Sequence, residues 1–577
     1  MTLMKAKQII NEAIDRLYPV AEFSVEHPID ERMGDFATNA AMVMAKKEGK
    51  NPRALAEEMA EKLKGVKELM VLVEKIEVAG PGFVNFFLRD EYMAEEVEKI
   101  NAEKDDYGRG ESWQGQKVII EFTDPNPFKQ FHIGHLMSNA IGESLARLVE
   151  FAGGQVKRAC YQGDVGMHVA KSIWGLKELL KEKNQTMDEV GNSDLDERIA
   201  FLGRAYAMGA TAFSEDEKVK DEINGLNKII YERSNEGIND IYDLGKKWSL
   251  EYFEEIYRKL GTKFDYYFFE SDAGEGGLKV VKENIDNGVF EESEGAVVFK
   301  GEKHGLHTRV FINSLGLPTY EAKELGLAQA KYDIFPYDRS VVVTGNEINA
   351  YFKVLLKVMS FVYPELAAKT THIGHGMLRL KYGKMSSRTG NVVTGDSLIG
   401  EVGEEIKKKM EETGKIKEVE RVDVVVDVVA VGAIKFSMLK QSPGKDIAFD
   451  FETSLSFEGD SGPYLQYAYA RAMSVLAKGK KEFGGKIEAG GLAMEERELL
   501  KWLYRFSEVA DLSVRDMAPN FICSYLIELA SRFNRFYTEC KIVGNEREGD
   551  RLALTAAVAQ VLKNGLGLLG IDTVEKM

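Results

Sequence analysis

Two histidines bracket a glycine in His132-Ile133-Gly134-His135. Imidazoles placed that way can donate hydrogen bonds to phosphate oxygens. Gly134 has no side chain, so a flat ring or a phosphate can come against the backbone. A helix starting there adds free N–H groups and the positive end of its dipole, which makes an anion site. A second candidate is Lys384-Met385-Ser386-Ser387-Arg388, bounded by Gly383 and Gly390. Its two cations and its hydroxyls can wrap a triphosphate. A third is Asp164, in the glycine-flanked loop Gln162-Gly163-Asp164-Val165-Gly166, with His168 nearby. Each has a bland alternative: partly buried structural histidines, a solvated basic loop, a turn aspartate. The tetrapeptide also occurs at His372-Ile373-Gly374-His375. That copy leads into an alternating stretch, Met377 to Tyr382, and opens no helix. It reads as coincidence.

The elements that position these residues follow from periodicity. Val118 to Phe122 is a short apolar run that reads as a buried strand. Pro125 and Pro127 stiffen the loop after it. Leu136, Ile141, Leu145 and Leu148 then recur at helical spacing. Gln155 to Ala159 reads as a second strand, which places Asp164 beyond a strand's carboxyl end, where open α/β sheets bind ligands. Residues 172–260 are helical and charged and fit an insertion. Phe264 to Glu270 and Ala296 to Phe299 read as strands near its end. A helix starts at 317–324, and Ser340 to Thr344 is a strand closed by Gly345-Asn346-Glu347. Val422 to Leu439 reads as a helix, and residues 453–577 as helical.

A chain of 577 residues exceeds one core, so three or four domains are expected. With 44% hydrophobic and 29% charged residues it is globular. The three cysteines, Cys160, Cys523 and Cys540, lack paired or metal-like spacing, which suits a reducing cytoplasm. No stretch is long enough to span a bilayer, and the first residues form an amphipathic helix rather than a signal peptide. The net charge of −17 weighs against nonspecific nucleic-acid binding but leaves room for a local basic groove.

A strand, a proline-rich turn and HIGH at a helix start resemble the nucleotide site of class I aminoacyl-tRNA synthetases. KMSSR resembles their second signature, KMSKS, at Lys384, Met385 and Ser386; the last two positions depart, and Arg388 restores a cation. Gly34 to Ala41 (GDFATNAA) and Glu77 to Leu88 (EVAGPGFVNFFL) resemble the N-terminal tRNA-contacting module of arginyl-tRNA synthetases. Asp124-Pro125-Asn126-Pro127-Phe128-Lys129 and the tyrosine-rich Leu455 to Arg471 resemble the same family, as does the ending Leu566 to Ile571.

The resemblance implies an α/β fold with a Rossmann-like parallel-sheet catalytic core carrying insertions, an N-terminal α+β domain and a C-terminal all-α helical bundle. The expected divisions are 1–110, 111–400 with an insertion at about 172–300, connecting helices 401–452 and the anticodon-binding bundle 453–577. It implies arginine and ATP as substrates, Mg²⁺ accompanying ATP, tRNA(Arg) as partner, a monomer, a cytoplasmic location and an arginyl-adenylate whose acyl group passes to a ribose 2′-hydroxyl. By resemblance, His132, His135, Lys129, Lys384 and Arg388 are catalytic. Gly134, Met385, Ser386 and Ser387 join the histidines and Lys384 around ATP. Glu121, Asn126, His135, Tyr320, Glu324 and Asp164 hold arginine, with Glu324 where many relatives carry Asp. Asn39, Tyr464, Gln466, Tyr467 and Arg471 face tRNA. No metal-ligating side chains are expected. Two other classes compete: a paralogue that adenylates another substrate without charging tRNA, and a noncatalytic tRNA-binding protein. The first would be expected to lack the C-terminal bundle; the second could lose either signature freely.

Overall fold

The computed structural model describes residues 4–18, 22–381, 393–412, 414, 416, 419–480 and 487–577. The N-terminal unit is an antiparallel sheet ordered β1-β2-β4-β3: β1 Val25–Glu26, β2 Phe36–Thr38, β3 Val73–Ala79 and β4 Phe83–Leu88. Helices Met4–Leu17, Ala40–Glu48 and Pro52–Lys64 accompany it. The last starts at Pro52 because Asn51 caps it, accepting from the Arg53 and Ala54 amides.

The core is a five-stranded parallel sheet ordered β12-β11-β5-β6-β7. Its strands are β5 Lys117–Glu121, β6 Gln155–Gln162, β7 Tyr266–Phe269, β11 Arg339–Gly345 and β12 Thr370–His375. Val118 to Glu121 are buried on both faces, as a central parallel strand requires. The order turns back between β5 and β11, so a crevice opens at their carboxyl ends. Helix Ile133–Phe151 links β5 to β6 and lies directly on the sheet. A Cβ at Gly142 would come 2.1 Å from the Phe122 ring. Ser138 fastens it further, accepting from the Thr123 amide and donating to the Val343 carbonyl.

One expectation about the insertion is corrected. Tyr266–Phe269 is the edge strand of the core, paired with Ala159–Gln162. The helical excursion between β6 and β7 therefore closes at Lys259, at the end of helix Glu236–Lys259. A separate antiparallel sheet follows: β8 Glu291–Ser293, β9 Ala296–Phe299 and β10 Arg309–Ile312. A four-residue aromatic strand carries no mark of which sheet it will join. The core then returns through helix Tyr320–Ile334 to β11. Beyond β12, β13 Leu378–Leu380 pairs with β14 Ile447–Phe449.

Helices Gly462–Lys478, Met494–Tyr504, Phe506–Arg515, Asn520–Glu539 and Glu548–Leu568 form the C-terminal bundle, and Val422–Leu439 packs on the first of them. Its last turn is tied to the core. Ser144 donates to the Leu568 carbonyl and Arg147 to that of Gly567, while buried Lys435 bridges the carbonyls of Leu260 and Gly570. The N-terminal unit meets the same bundle through Asp35–Lys501 at 2.8 Å and Glu31–Arg532 at 2.6 Å. Among the described residues no helix is long and apolar enough to cross a membrane.

Candidate active site

His132 is the N-cap of helix Ile133–Phe151. Its Nδ1 accepts from the Gly134 amide at 3.1 Å, and His135 Nδ1 accepts from the His132 amide at 3.2 Å. Two imidazoles thus do what a serine and a glutamate do in an ordinary capping box. With both Nδ1 atoms accepting, each proton must sit on Nε2, so each ring offers one donor. The rings stack at 3.5 Å between centroids. Burial and Lys129 push His132 below the usual imidazole range; burial, then His132 and Lys129, push His135 further below it. The pair is therefore neutral at pH 7 and can donate to anionic oxygens without a charge of its own.

Lys129 lies in the loop ahead of them. Thr123, Asp124 and Phe128 in this loop take positive φ, a strained geometry that clusters at functional sites. The Phe128 amide donates to Ser249 of the insertion, which holds the loop down. The Lys129 ammonium sits 5.2 Å over the Tyr206 ring and has no ion-pair partner among the described residues. Burial and Lys171 lower its pKa, leaving a cation short of countercharge beside the histidines.

Lys384, Met385, Ser386, Ser387 and Arg388 lie outside the described residues. The segment that follows them is placed. Thr394 bridges to His132, the Gly395 amide donates to the Phe131 carbonyl at 2.7 Å, and Ile133 donates to Val393. The chain leaving the KMSSR segment is thus bonded to the backbone of the HIGH turn.

At the carboxyl end of β5, the strand that leads into this turn, lies an acidic cluster. Glu121 ends β5, and its Oε2 meets Lys331 Nζ at 2.7 Å, both nearly fully buried. Asp124 accepts from the Tyr161 amide at 2.7 Å. Glu324 projects from helix Tyr320–Ile334, two turns before Lys331. Burial, then Glu121, raise Asp124 well above the usual carboxylate range and Glu324 to about 8. Lys331 opposes both shifts. Crowding around one ammonium keeps Asp124 and Glu324 from ionising alone, so a further cation is needed before they can, and a guanidinium supplies it in planar form. Asn126 lies at the rim, so close to Gly163 that a Cβ there would come 2.2 Å from its Oδ1. Tyr320 is 60% exposed, with Lys323 Nζ 5.2 Å from its ring centre, and the charges facing it are Glu270, Lys323 and Glu321.

Two expected site residues are placed elsewhere. Asp164 is fully buried, and its carboxylate is already used: Tyr242 at 2.8 Å, Lys246 at 2.6 Å, and Ser271 through both amide and hydroxyl. It fastens the insertion to the core, with Oδ2 taken by three donors and Oδ1 by the Ser271 amide. Gln466 is also fully buried. Its amide donates to the Val428 and Asp572 carbonyls, and it packs against Gly432; it cannot reach a tRNA. Tyr464, Tyr467 and Arg471 do reach the surface. The Arg471 guanidinium lies 4.7 Å over Tyr467 and 5.1 Å over Tyr537, and it donates to Asn534. Asn39 accepts from the Ser24 amide at 2.8 Å.

Residue-type reasoning passed over Lys331 and the pair Lys323–Glu270 (2.5 Å) at the rim. A signal for Lys331 exists: it lies at i+7 from Glu324, on the same helical face. The second HIGH copy is the end of β12. His372 stacks on Phe352 at 3.8 Å and pairs with Thr344, and His375 bonds the Gly376 carbonyl. His135→Ala is expected to lower the rate of arginine activation by about two orders of magnitude, the usual loss for one donor to developing charge. His375→Ala should leave it within about twofold of wild type. Equal losses in a steady-state assay would place both copies at the chemistry.

A parallel sheet with a HIGH helix start at its switch point and a helical bundle docked behind it defines a class I aminoacyl-tRNA synthetase. Residues 96–451 match the family model for tRNA synthetases class I (R), catalytic domain. Residues 4–88 match the arginyl tRNA synthetase N terminal domain, and 465–577 the DALR anticodon binding domain. The arginine–tRNA ligase of Treponema denticola is 32% identical over 99% of this chain and 97% of its own length. That of Clostridium acetobutylicum is 31% identical over 99% and 98%. The arginyl-tRNA synthetase structures of Thermus thermophilus and Plasmodium falciparum share the fold, each with a TM-score of 0.80, at 24% and 22% identity and over the full chain. The chain belongs to the arginyl-tRNA synthetase family, and its activity is that family's: charging tRNA with arginine in protein synthesis.

Proposed function

We propose that the crevice at the carboxyl ends of β5 and β11 activates arginine as its adenylate and passes the arginyl group to the 2′-hydroxyl of the terminal tRNA adenosine. The observation that carries this is the adjacency of two sites: neutral histidine donors at a helix start, and a carboxylate pocket lacking positive charge. The guanidinium enters between Glu324 and Asp124. Asn126, Tyr320 and the Lys331-held Glu121 orient the rest of the amino acid. Its carboxylate attacks the α-phosphorus, and pyrophosphate leaves. The protein supplies position and charge rather than a covalent nucleophile. His132 and His135 donate Nε2–H to phosphate oxygens, Gly134 leaves room for the nucleotide, and Lys129 faces the leaving group. Lys384 and Arg388, with Met385, Ser386 and Ser387, close on the same triphosphate from the segment anchored at Thr394.

Among the described residues no group of three His, Cys, Asp or Glu side chains converges to hold a metal. Mg²⁺ would accompany the triphosphate as part of that substrate. The Tyr464, Tyr467 and Arg471 surface, with Asn39 on the N-terminal unit, meets the tRNA. Stacked rings with a guanidinium suit unpaired bases. The protein acts as a monomer in the cytoplasm, in keeping with its free, buried cysteines.

Amino-acid-dependent ATP–pyrophosphate exchange across the twenty amino acids, with and without bulk tRNA, tests this. Exchange is expected with arginine and to depend on added tRNA. Exchange with a different amino acid would reassign the pocket, and none at all would leave a tRNA-binding protein.

A further inference from the structure

We propose that Tyr161 and Tyr351 are further specificity residues of the amino-acid pocket, their hydroxyls closing the guanidinium socket beside Glu324. This rests on the reading of Glu324 as the guanidinium's carboxylate.

Tyr161 stands near the carboxyl end of β6, its ring packed with Ala273 and Leu327. Tyr351 is in the first turn of helix Asn349–Val362. Its ring meets Phe352 edge-on at 5.3 Å, and the Arg309 guanidinium lies 6.0 Å above it. Both hydroxyl oxygens are buried, and neither has a hydrogen-bond partner among the described residues. The Glu324 carboxylate likewise makes no hydrogen bond or ion pair among them. Tyr161 lies within electrostatic reach of Glu324, Glu270, Glu121 and Tyr351; Tyr351 lies within reach of Glu324, Glu321 and Glu270.

Folded proteins pair the great majority of their buried polar groups, so unpaired ones clustered together point to a ligand that completes them. Here two such hydroxyls and the unpaired carboxylate of partly buried Glu324 come from three elements, a strand and two helices, at the ligand-binding end of the sheet. Two are neutral oxygens that can accept, and one is a carboxylate. A guanidinium carries five N–H donors fixed in one plane, enough to serve all three at once. A lysine ammonium is a point charge with three donors on a tetrahedral centre and cannot match that array. The hydroxyls therefore add shape discrimination to the charge supplied by Glu324.

Tyr161→Phe and Tyr351→Phe test this, with Glu324→Gln run alongside. Removing a hydroxyl that has no partner in the protein breaks no internal bond, so the thermal midpoint should hold or rise. Each single variant should raise the arginine KM about tenfold, and the double variant about a hundredfold, with the ATP KM unchanged. Two results would overturn the socket: an unchanged arginine KM in both tyrosine variants, or a rise matched for ATP together with a lower midpoint. If Glu324→Gln raises the arginine KM while the tyrosine variants do not, the socket is wrong and the pocket stands. If Glu324→Gln also leaves the KM unchanged, the pocket reading fails as well.

Discussion

Lys331→Met is expected to cost the folded protein about 3–5 kcal/mol, the range for breaking a buried ion pair from one side. The side chains of Lys331 and Glu121 are 4% and 2% exposed, so solvent screens little of this. Methionine fills the volume but leaves Glu121, Asp124 and Glu324 facing one another with no internal cation. The pH dependence has a definite sign. Asp124 and Glu324 already sit above the usual carboxylate range because of burial; Lys331 holds Glu324 down, and it joins the Tyr161 amide in holding Asp124 down. Without it both rise further. A carboxylate raised in the folded state destabilises as pH climbs from its unfolded value through its folded one. The gap between variant and wild type should therefore be widest near pH 8–9 and narrow toward pH 5. Thermal unfolding across that range reads it directly. Saturating arginine should restore part of the loss at pH 8, because a bound guanidinium replaces the missing charge. Adding Glu121→Gln to Lys331→Met should recover stability relative to the single variant, since the uncompensated charge goes with its partner. Simple addition of the two losses would mean that the ion pair contributes little.

How far the sequence carries this site depends on how local each feature is. The HIGH turn is local: two prolines, a glycine and a helical stripe within thirty residues announce a loop feeding a helix start. What it does not announce is that the histidines cap the helix, which fixes their tautomer and leaves Nε2 to the ligand. Asp164 fails for the opposite reason. Its loop lies where a site is expected, but Lys246 and Tyr242 reach it from a helix some eighty residues away and consume its oxygens. Nothing near Asp164 in sequence records that. The neighbours of Gln466 mislead, since three tyrosines make a helix look like a binding face. Its own i−4 and i+4 partners, Gly462 and Ala470, are small, the mark of a face pressed against another helix. Gly432 on helix Val422–Leu439 is where that contact falls. The edge strand Tyr266–Phe269 shows the same limit for topology. Four aromatic residues fix a strand, while pairing with β6 is decided by an insertion of about a hundred residues folding away from the sheet.

The acid pocket combines both kinds of feature. Glu121 and Glu324 come from segments that read as site-forming, yet the charge state of Glu324 depends on Glu121 and on Lys331.

Glu324→Gln should raise the arginine KM a few hundredfold, as about 3–4 kcal/mol is lost with a buried charge partner, and should leave the ATP KM almost unchanged. Wild type should show why. Glu324 titrates at about 8 in the unliganded protein, so near pH 7 it is mostly protonated and neutral. A guanidinium binds the ionised form, and binding therefore releases a proton. Apparent affinity scales with the ionised fraction. It should strengthen by just under tenfold per pH unit below pH 8 and level off above it. Glu121, Glu270, Glu321 and Lys331 set the position of that bend through their charges, but the slope belongs to the proton. Calorimetry in two buffers of different ionisation enthalpy, at pH 7, should report close to one proton released on arginine binding. The glutamine variant should bind weakly and release about one proton fewer than wild type under the same conditions. A wild-type affinity independent of pH between 6.5 and 8 would mean that Glu324 is ionised before arginine arrives. The pocket would then present a fixed charge to its substrate rather than one that ionises as the substrate binds.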